Sequence, residues 1–277
     1  MTLKFKSKTG EAYHIKVLAE LLAHNLKNGC FEISEAGIAL RMFDQHRKTF
    51  IDLELQSENF SLYKYDDKKK MCLGLNLNHF HKTLKSTKKK DSLHLFIDDT
   101  HPNDLKIKNI PKENTRVTTT SIKIQNIQNI ESTLPTGYGK PVIVPSADFQ
   151  KMCKELSSIG STNIRVVAHR FYIDFIADAD DIMTRSVRLG ETDESDGENE
   201  DSTDSVLYEA TFTTDQFSRI SKISGLSSIM QIFPGSNSLP LLFRTNVGSL
   251  GKISVYIKSK ELSESELVQS DSESESE

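Results

Sequence analysis

The 277-residue sequence has no apolar run approaching the ~18 residues of a membrane-spanning helix, so no helical span is expected. Cysteine is scarce. Cys30, Cys72 and Cys153 are odd in number, widely separated and free of Cys-x-x-Cys spacing, which argues against a disulfide framework or a zinc site and for buried, reduced thiols. Met1 to Gly10 carries three lysines without the apolar core of a signal peptide behind them, and the chain is expected to stay inside the cell. No Walker loop, Gly-x-Ser-x-Gly elbow or His-Glu-x-x-His helix occurs. His79 and His81 stand two apart in a helical segment and point to different sides, which disfavours joint metal ligation. Asp178-x-Asp180-Asp181, between two strand-like runs, reads as a solvated turn. No catalytic residue, metal or cofactor is expected.

What is present is ordinary in composition, 36% apolar and 27% charged, and long enough for one large domain or two smaller ones with cores of their own. The charge is segregated. Glu191 to Asp204 holds eight acidic residues and Glu261 to Glu277 seven, with no Lys or Arg in either. The other 24 acidic residues face 35 Lys and Arg, so the body carries +11 although the whole chain is at −4. A cationic body with detached acidic segments suits a polyanion binder. The acidic stretches are too poor in apolar residues to order themselves, so 191–205 is expected as a mobile loop and 263–277 as a disordered tail.

Thr118 to Lys140, ending Leu134-Pro135-Thr136-Gly137-Tyr138-Gly139, has the punctuation of a connector. The same order of elements lies on either side of it. In 1–117, a helix over Glu11 to Asn25 with a stripe of Ile15, Leu18 and Leu22 precedes strands at 31–33, 38–42 and 51–55. A short helix over Asn76 to Leu84 then leads to strands at 93–97 and 105–107. In 141–262, Ser146 is expected to cap a helix bearing Phe149, Met152, Cys153 and Leu156, followed by strands at 164–166, 171–175 and 187–189. A helix over Thr214 to Ser221 precedes strands at 229–233, 241–245 and 253–257. Corresponding helices begin about 135 residues apart, which indicates two copies of one α+β domain, each with two helices backing largely antiparallel sheets.

The helices share a second feature. Lys82-x-x-Lys85, Lys151-x-x-Lys154 and Arg219-x-x-Lys222 each place two cations three residues apart, away from the apolar stripe. Any one pair could be plain solvated surface, but three at equivalent places in a duplicated fold point to a common basic surface. The first helix joins it through Lys16, with Lys27 beyond its end.

The residues resemble the proliferating cell nuclear antigen family of sliding clamps. The resemblance rests on Cys30-Phe31-Glu32-Ile33-Ser34-Glu35-Ala36-Gly37-Ile38, Met42-Phe43-Asp44, Leu53 to Phe60 and Leu73-Gly74-Leu75-Asn76-Leu77. It continues through Val144 to Phe149, Lys154 to Gly160, Ser218 to Ser228, Leu239-Pro240-Leu241, Gly251 and Tyr256. The resemblance implies a homotrimeric ring of six similar domains, closed by oligomerisation, with helices lining a hole around duplex DNA. Such a ring acts without sequence preference as a processivity factor, loaded by a clamp loader and docking polymerase and repair proteins, in the nucleus or at a site of viral DNA replication. Positions matching the family's DNA-facing cations are Lys16, Lys82, Lys85, Lys151, Lys154 and Lys222; Arg219 is added from its spacing. Positions matching its partner-peptide pocket are Phe43, Tyr138, Pro240 and Tyr256, with Ile130 and Leu134 as the nearest connector equivalents.

Several positions depart from the family pattern. Ile122, Ile124, Ile127 and Ile130 stand in a connector that is usually acidic, and His169 stands where the family has a modified lysine. Lys258-Ser259 replaces an Ala-Pro pair. An alternative is a clamp-like subunit acting as a heteromer or monomer. The strands expected to pair between subunits are Arg116 to Ile122 and Thr184 to Leu189.

Overall fold

The computed structural model describes residues 3–65, 69–113, 116–127, 132–179, 182–191, 205–236 and 238–266, and the chain divides into two compact units. The first unit holds Met1–Thr133 with Gly225–Ser227 and Thr245–Ser254; the second holds Leu134–Ser224, Ser228–Arg244 and Val255–Glu277.

In the first unit, β1 (Leu3–Thr9) leads into α1 (Ala12–Asn25), then β2 (Asn28–Ser34), β3 (Gly37–Phe43), β4 (Thr49–Gln56), β5 (Leu62–Tyr65) and β6 (Met71–Asn76). After α2 (Leu77–Leu84) come β7 (Ser92–Asp98), β8 (Asp104–Ile110) and β9 (Thr118–Lys123). One antiparallel sheet runs β5-β1-β7-β8-β9 and a second set runs β4-β3-β2-β6. Alternation decides the faces. Phe5, Leu95 and Leu105 turn inward and line one core with Ile15 and Leu18 of α1 and Phe80 of α2, and Leu93, Ile97 and Ile107 are buried as well. Each such side chain contributes about 1.5–3 kcal/mol on burial. The Asn76 side chain accepts a hydrogen bond from His79 N at 3.0 Å and caps α2, so an abrupt strand-to-helix turn is satisfied locally.

The second unit opens with β10 (Val142–Pro145), α3 (Ser146–Ser158), β11 (Asn163–Ala168), β12 (Tyr172–Ala179), β13 (Met183–Gly190) and β14 (Tyr208–Thr213). Then α4 (Thr214–Ile220) precedes β15 (Ile229–Phe233), β16 (Leu241–Val247) and β17 (Gly251–Ile257), of which residues 245–247 and 251–254 count with the first unit. One antiparallel sheet has the order β13-β12-β11-β14, and β10 pairs antiparallel with β15. Phe217 of α4 is the hub of the core, its ring centroid 5.6 Å from Phe175, 5.8 Å from Phe212 and 6.1 Å from Phe243. Thr213 and Gln216 form a capping box at the start of α4.

Some expectations need correction. Ser146 is the first helical residue of α3 and not its cap; Pro145, in extended conformation, holds that place, and the Ser146 hydroxyl is buried without a partner among the described residues. Burial raises the thiol pKa of Cys30 to about 11 and of Cys153 to about 12, but Cys72 is exposed, on the solvent side of β6. Thr118 to Lys123, which opens the expected connector, is a strand paired with β8, in keeping with the strand expected over Arg116 to Ile122. The chain is helical over 260–266, four residues into the segment expected as a tail; 267–277 and 192–204 lie outside the described residues. Asp180 and Asp181 also lie outside them.

Candidate nucleic-acid and partner interfaces

The apolar side of α2, Leu77, Phe80 and Leu84, is buried, which leaves Lys82 and Lys85 exposed on the other side. Neither makes an ion pair among the described residues. Lys16 of α1 is half-buried; its Nζ donates to the Thr87 carbonyl at 3.2 Å and lies 5.7 Å from the Tyr13 ring centroid. Lys89 Nζ lies 5.6 Å from the same centroid. The Lys88-Lys89-Lys90 turn after α2 thus extends the α1–α2 cations, an addition whose sequence signal is the run of three lysines between α2 and β7. His81 sits among these groups. Burial lowers its pKa, Glu20 opposes that, and His24, Lys85 and Lys16 reinforce it, so the ring is neutral at pH 7.

In the second unit, Lys151 and Lys154 are exposed on α3 opposite buried Phe149, Met152, Cys153 and Leu156. Ser157 Oγ of α3 meets Ser218 Oγ of α4 at 3.1 Å. Lys154 lies one turn before Ser157, and Lys222 one turn after Ser218, so cations flank this crossing on both helices. Lys222 stands in the 3₁₀ turn Ser221–Gly225 and is half-buried. Lys151 pairs with Glu155 at 3.8 Å and Arg219 with Asp215 at 2.6 Å, each one turn along its own helix. Solvated pairs of this kind are worth about 0.3–0.5 kcal/mol, little enough for a phosphate to replace the carboxylate. Long, flexible side chains on rigid helices can neutralise phosphates but have no fixed donor pattern with which to read bases.

The second unit also gathers three of the expected pocket residues. The Tyr138 hydroxyl donates to the Pro240 carbonyl at 2.8 Å, and its ring centroid lies 6.2 Å from Tyr256 and 6.1 Å from Phe233. Burial raises the Tyr138 pKa above the usual phenol range. Tyr256 is only 3% exposed and Pro240 is buried, and the chain's own Tyr138 packs on this cluster. Leu134 is half-buried in the same unit. Phe233, with the Arg244 guanidinium 4.9 Å from its ring centroid, is a member that sequence reasoning missed; it reads there only as one apolar residue of a strand. Phe43 belongs to the first unit, half-buried, its ring 4.6 Å from Phe50 and 5.1 Å from the Arg47 guanidinium. Ile130 lies outside the described residues. His169 is buried and stacks on Tyr172 at 4.4 Å, so a side chain there packs inside the unit, unlike a surface lysine open to modification.

The sequence matches the family model "Proliferating cell nuclear antigen, N-terminal domain" over residues 4–132 and "Proliferating cell nuclear antigen, C-terminal domain" over 115–260. It is 26% identical over 259 residues to "Probable DNA polymerase sliding clamp 1" of Paramecium bursaria Chlorella virus 1, covering 91% of this chain and 95% of the relative. It is 25% identical over 260 residues to the proliferating cell nuclear antigen of Dictyostelium discoideum, covering 92% and 99%. To that of Chaetomium thermophilum it is 26% identical over 254 residues, covering 90% and 95%. With duplicated helices backing antiparallel sheets, cations on the helices of both units, and both family models matched in order, the chain belongs to the proliferating cell nuclear antigen family.

Proposed function

We propose that three copies of this chain close into a ring around duplex DNA, with α1 to α4 of each copy facing the hole. The chain is a DNA sliding clamp and polymerase processivity factor, a scaffold and not an enzyme. The observation that carries the ring reading is the repeated placement of cations on the outer faces of the helices in both units, Lys82 and Lys85 in one, Lys151 and Lys154 in the other. Their charge is spread over two domains, which suits a backbone contact that slides. Ring closure draws support from two edge strands, β9 ending the sheet of the first unit and β13 that of the second. Both are largely exposed and free to pair on one side, and each is rich in Thr, Ser or Arg, which suits a ladder between neighbours. A clamp loader, polymerase peptides docking at the Tyr138, Pro240 and Tyr256 cluster, and action in a nucleus or at a site of viral replication complete the reading.

The test is a variant carrying Lys82→Glu, Lys85→Glu, Lys151→Glu and Lys154→Glu. Clamp-dependent processive synthesis should be abolished while molar mass and peptide binding are retained, and the slope of log affinity against log salt should shrink by nearly one per lost phosphate contact. Processive synthesis at the parent level would show that these lysines are solvated surface only.

A further inference from the structure

The first unit carries a second cationic surface, on the sheet and not on the helices. Strands β1, β5, β7, β8 and β9 hold seven lysines against two carboxylates, Asp98 and Asp104. Both carboxylates are already engaged, Asp98 by Lys106 and Asp104 by Lys123 at 2.7 Å. Lys4, Lys6, Lys8, Lys64 and Lys108 make no ion pair among the described residues.

Register places these groups in rows. Lys64 stands opposite Lys6, Lys6 opposite Phe96, and Phe96 opposite Lys106. Two residues along, Lys8 stands opposite His94, and His94 opposite Lys108. Neighbours in a row are about 4.8 Å apart and the rows about 6.7 Å apart. Because Phe5, Leu95 and Ile107 point into the core, the alternating positions Lys6, Lys8, Phe96 and Lys108 all face outward. Like charges directly opposite, such as Lys6 and Lys64, weaken a sheet, and nothing among the described residues relieves this pair. His94 registers the same field. Burial, then Lys8, Lys108 and Lys6, lower its pKa.

We infer that this face binds single-stranded nucleic acid, its phosphates lying along the Lys6, Lys8, Lys64 and Lys108 rows and an unpaired base resting on Phe96. The half-exposed Phe96 ring between cations is the feature that selects a single strand: a stacking platform inside a basic surface engages unpaired bases, which a duplex keeps enclosed. This surface lies within the first unit and does not depend on ring closure or on the helix cations.

The test measures fluorescence anisotropy of a labelled oligothymidylate of about twenty nucleotides, longer than a typical binding site, against the full chain across a salt series. A variant with Lys6→Gln, Lys8→Gln and Lys108→Gln should bind at least about tenfold more weakly, with a salt slope smaller by about two. Phe96→Leu, which keeps the volume and the fold, should weaken binding about fivefold or more without changing the slope. The triple Gln variant should keep clamp-dependent processive synthesis, and adding its three changes to the helix variant with glutamates at 82, 85, 151 and 154 should still weaken oligonucleotide binding about tenfold, which separates this surface from the ring reading. Parent-level binding by the triple Gln variant, or loss confined to the helix variant, overturns the proposal. It is equally overturned if the full chain does not bind the oligonucleotide and only a variant lacking 192–204 and 267–277 does, because the acidic segments would then be the occupant.

Discussion

The Tyr138 hydroxyl and the Pro240 carbonyl are joined by a 2.8 Å hydrogen bond that ties the end of the connector to the segment before β16. Three aromatic rings close around it, with Phe233 and Tyr256 each about 6 Å from Tyr138. The bond is sheltered, so removing it has a defined cost. Tyr138→Phe keeps the ring and deletes the donor, leaving the Pro240 carbonyl without this partner. The expected loss is about 0.5–1.5 kcal/mol, read as a lower urea midpoint at unchanged slope. A peptide docking at this cluster should bind the variant more weakly. An unchanged midpoint would mean that water replaces the hydroxyl at no cost.

Phe217 links core to surface in the second unit. Its ring packs with four other phenylalanines while Arg219, two residues on, is exposed on the same short helix. Phe217→Ala should destabilise by about 3–5 kcal/mol through the cavity it leaves. A helix of seven residues has little intrinsic stability, so its placement depends on this anchor. Arg219→Ala, by contrast, should change stability by less than about 0.5 kcal/mol, since its partner Asp215 is itself exposed. Chemical denaturation of both variants checks the contrast.

His81 sets a pH dependence. Burial, with Glu20 opposing and His24, Lys85 and Lys16 reinforcing, holds its folded pKa below the ordinary 6.5. The unfolded chain therefore takes up the proton first as pH falls. The neutral ring's contribution to stability is complete above pH 6.5, declines as pH drops from there toward the folded pKa, and is flat below it. His81→Asn removes that decline. The difference in unfolding free energy between parent and variant should move in the variant's favour between pH 7.5 and 5.5, by less than about 1 kcal/mol because the site is partly solvated. A parallel pH dependence in the two proteins would contradict this.

The duplication was legible because apolar spacing is a local signal: α1, α2, α3 and α4 all begin within a residue or so of where the stripes predict. Five strands lack a counterpart among the expected runs, namely β1, β5, β6, β10 and β14. The inward positions of β1 include Ser7 and Thr9 alongside Phe5, so its alternation does not read as apolar and polar. β5 and β10 are only four residues long. The helix cations at 82, 85, 151, 154 and 219 are exposed as their spacing implies, since one face of a helix is fixed once the other is buried. The half-buried state of Lys16, its bond to Thr87 and the approach of Lys89 depend on contacts distant in sequence, which no spacing rule reports. The same holds for Tyr138 covering Tyr256, a packing relation across 118 positions of sequence.

The central claim is topological, and one measurement reads it directly: retention of the loaded protein on a closed circular duplex compared with the same duplex linearised by a single cut, at a salt concentration that suppresses ordinary electrostatic binding. A ring that encircles DNA stays on the circle and runs off the free ends, so gel filtration should co-elute the protein with circular DNA and release it on cutting. Equal retention on both forms, or on neither after loading, would contradict encirclement and leave only surface binding.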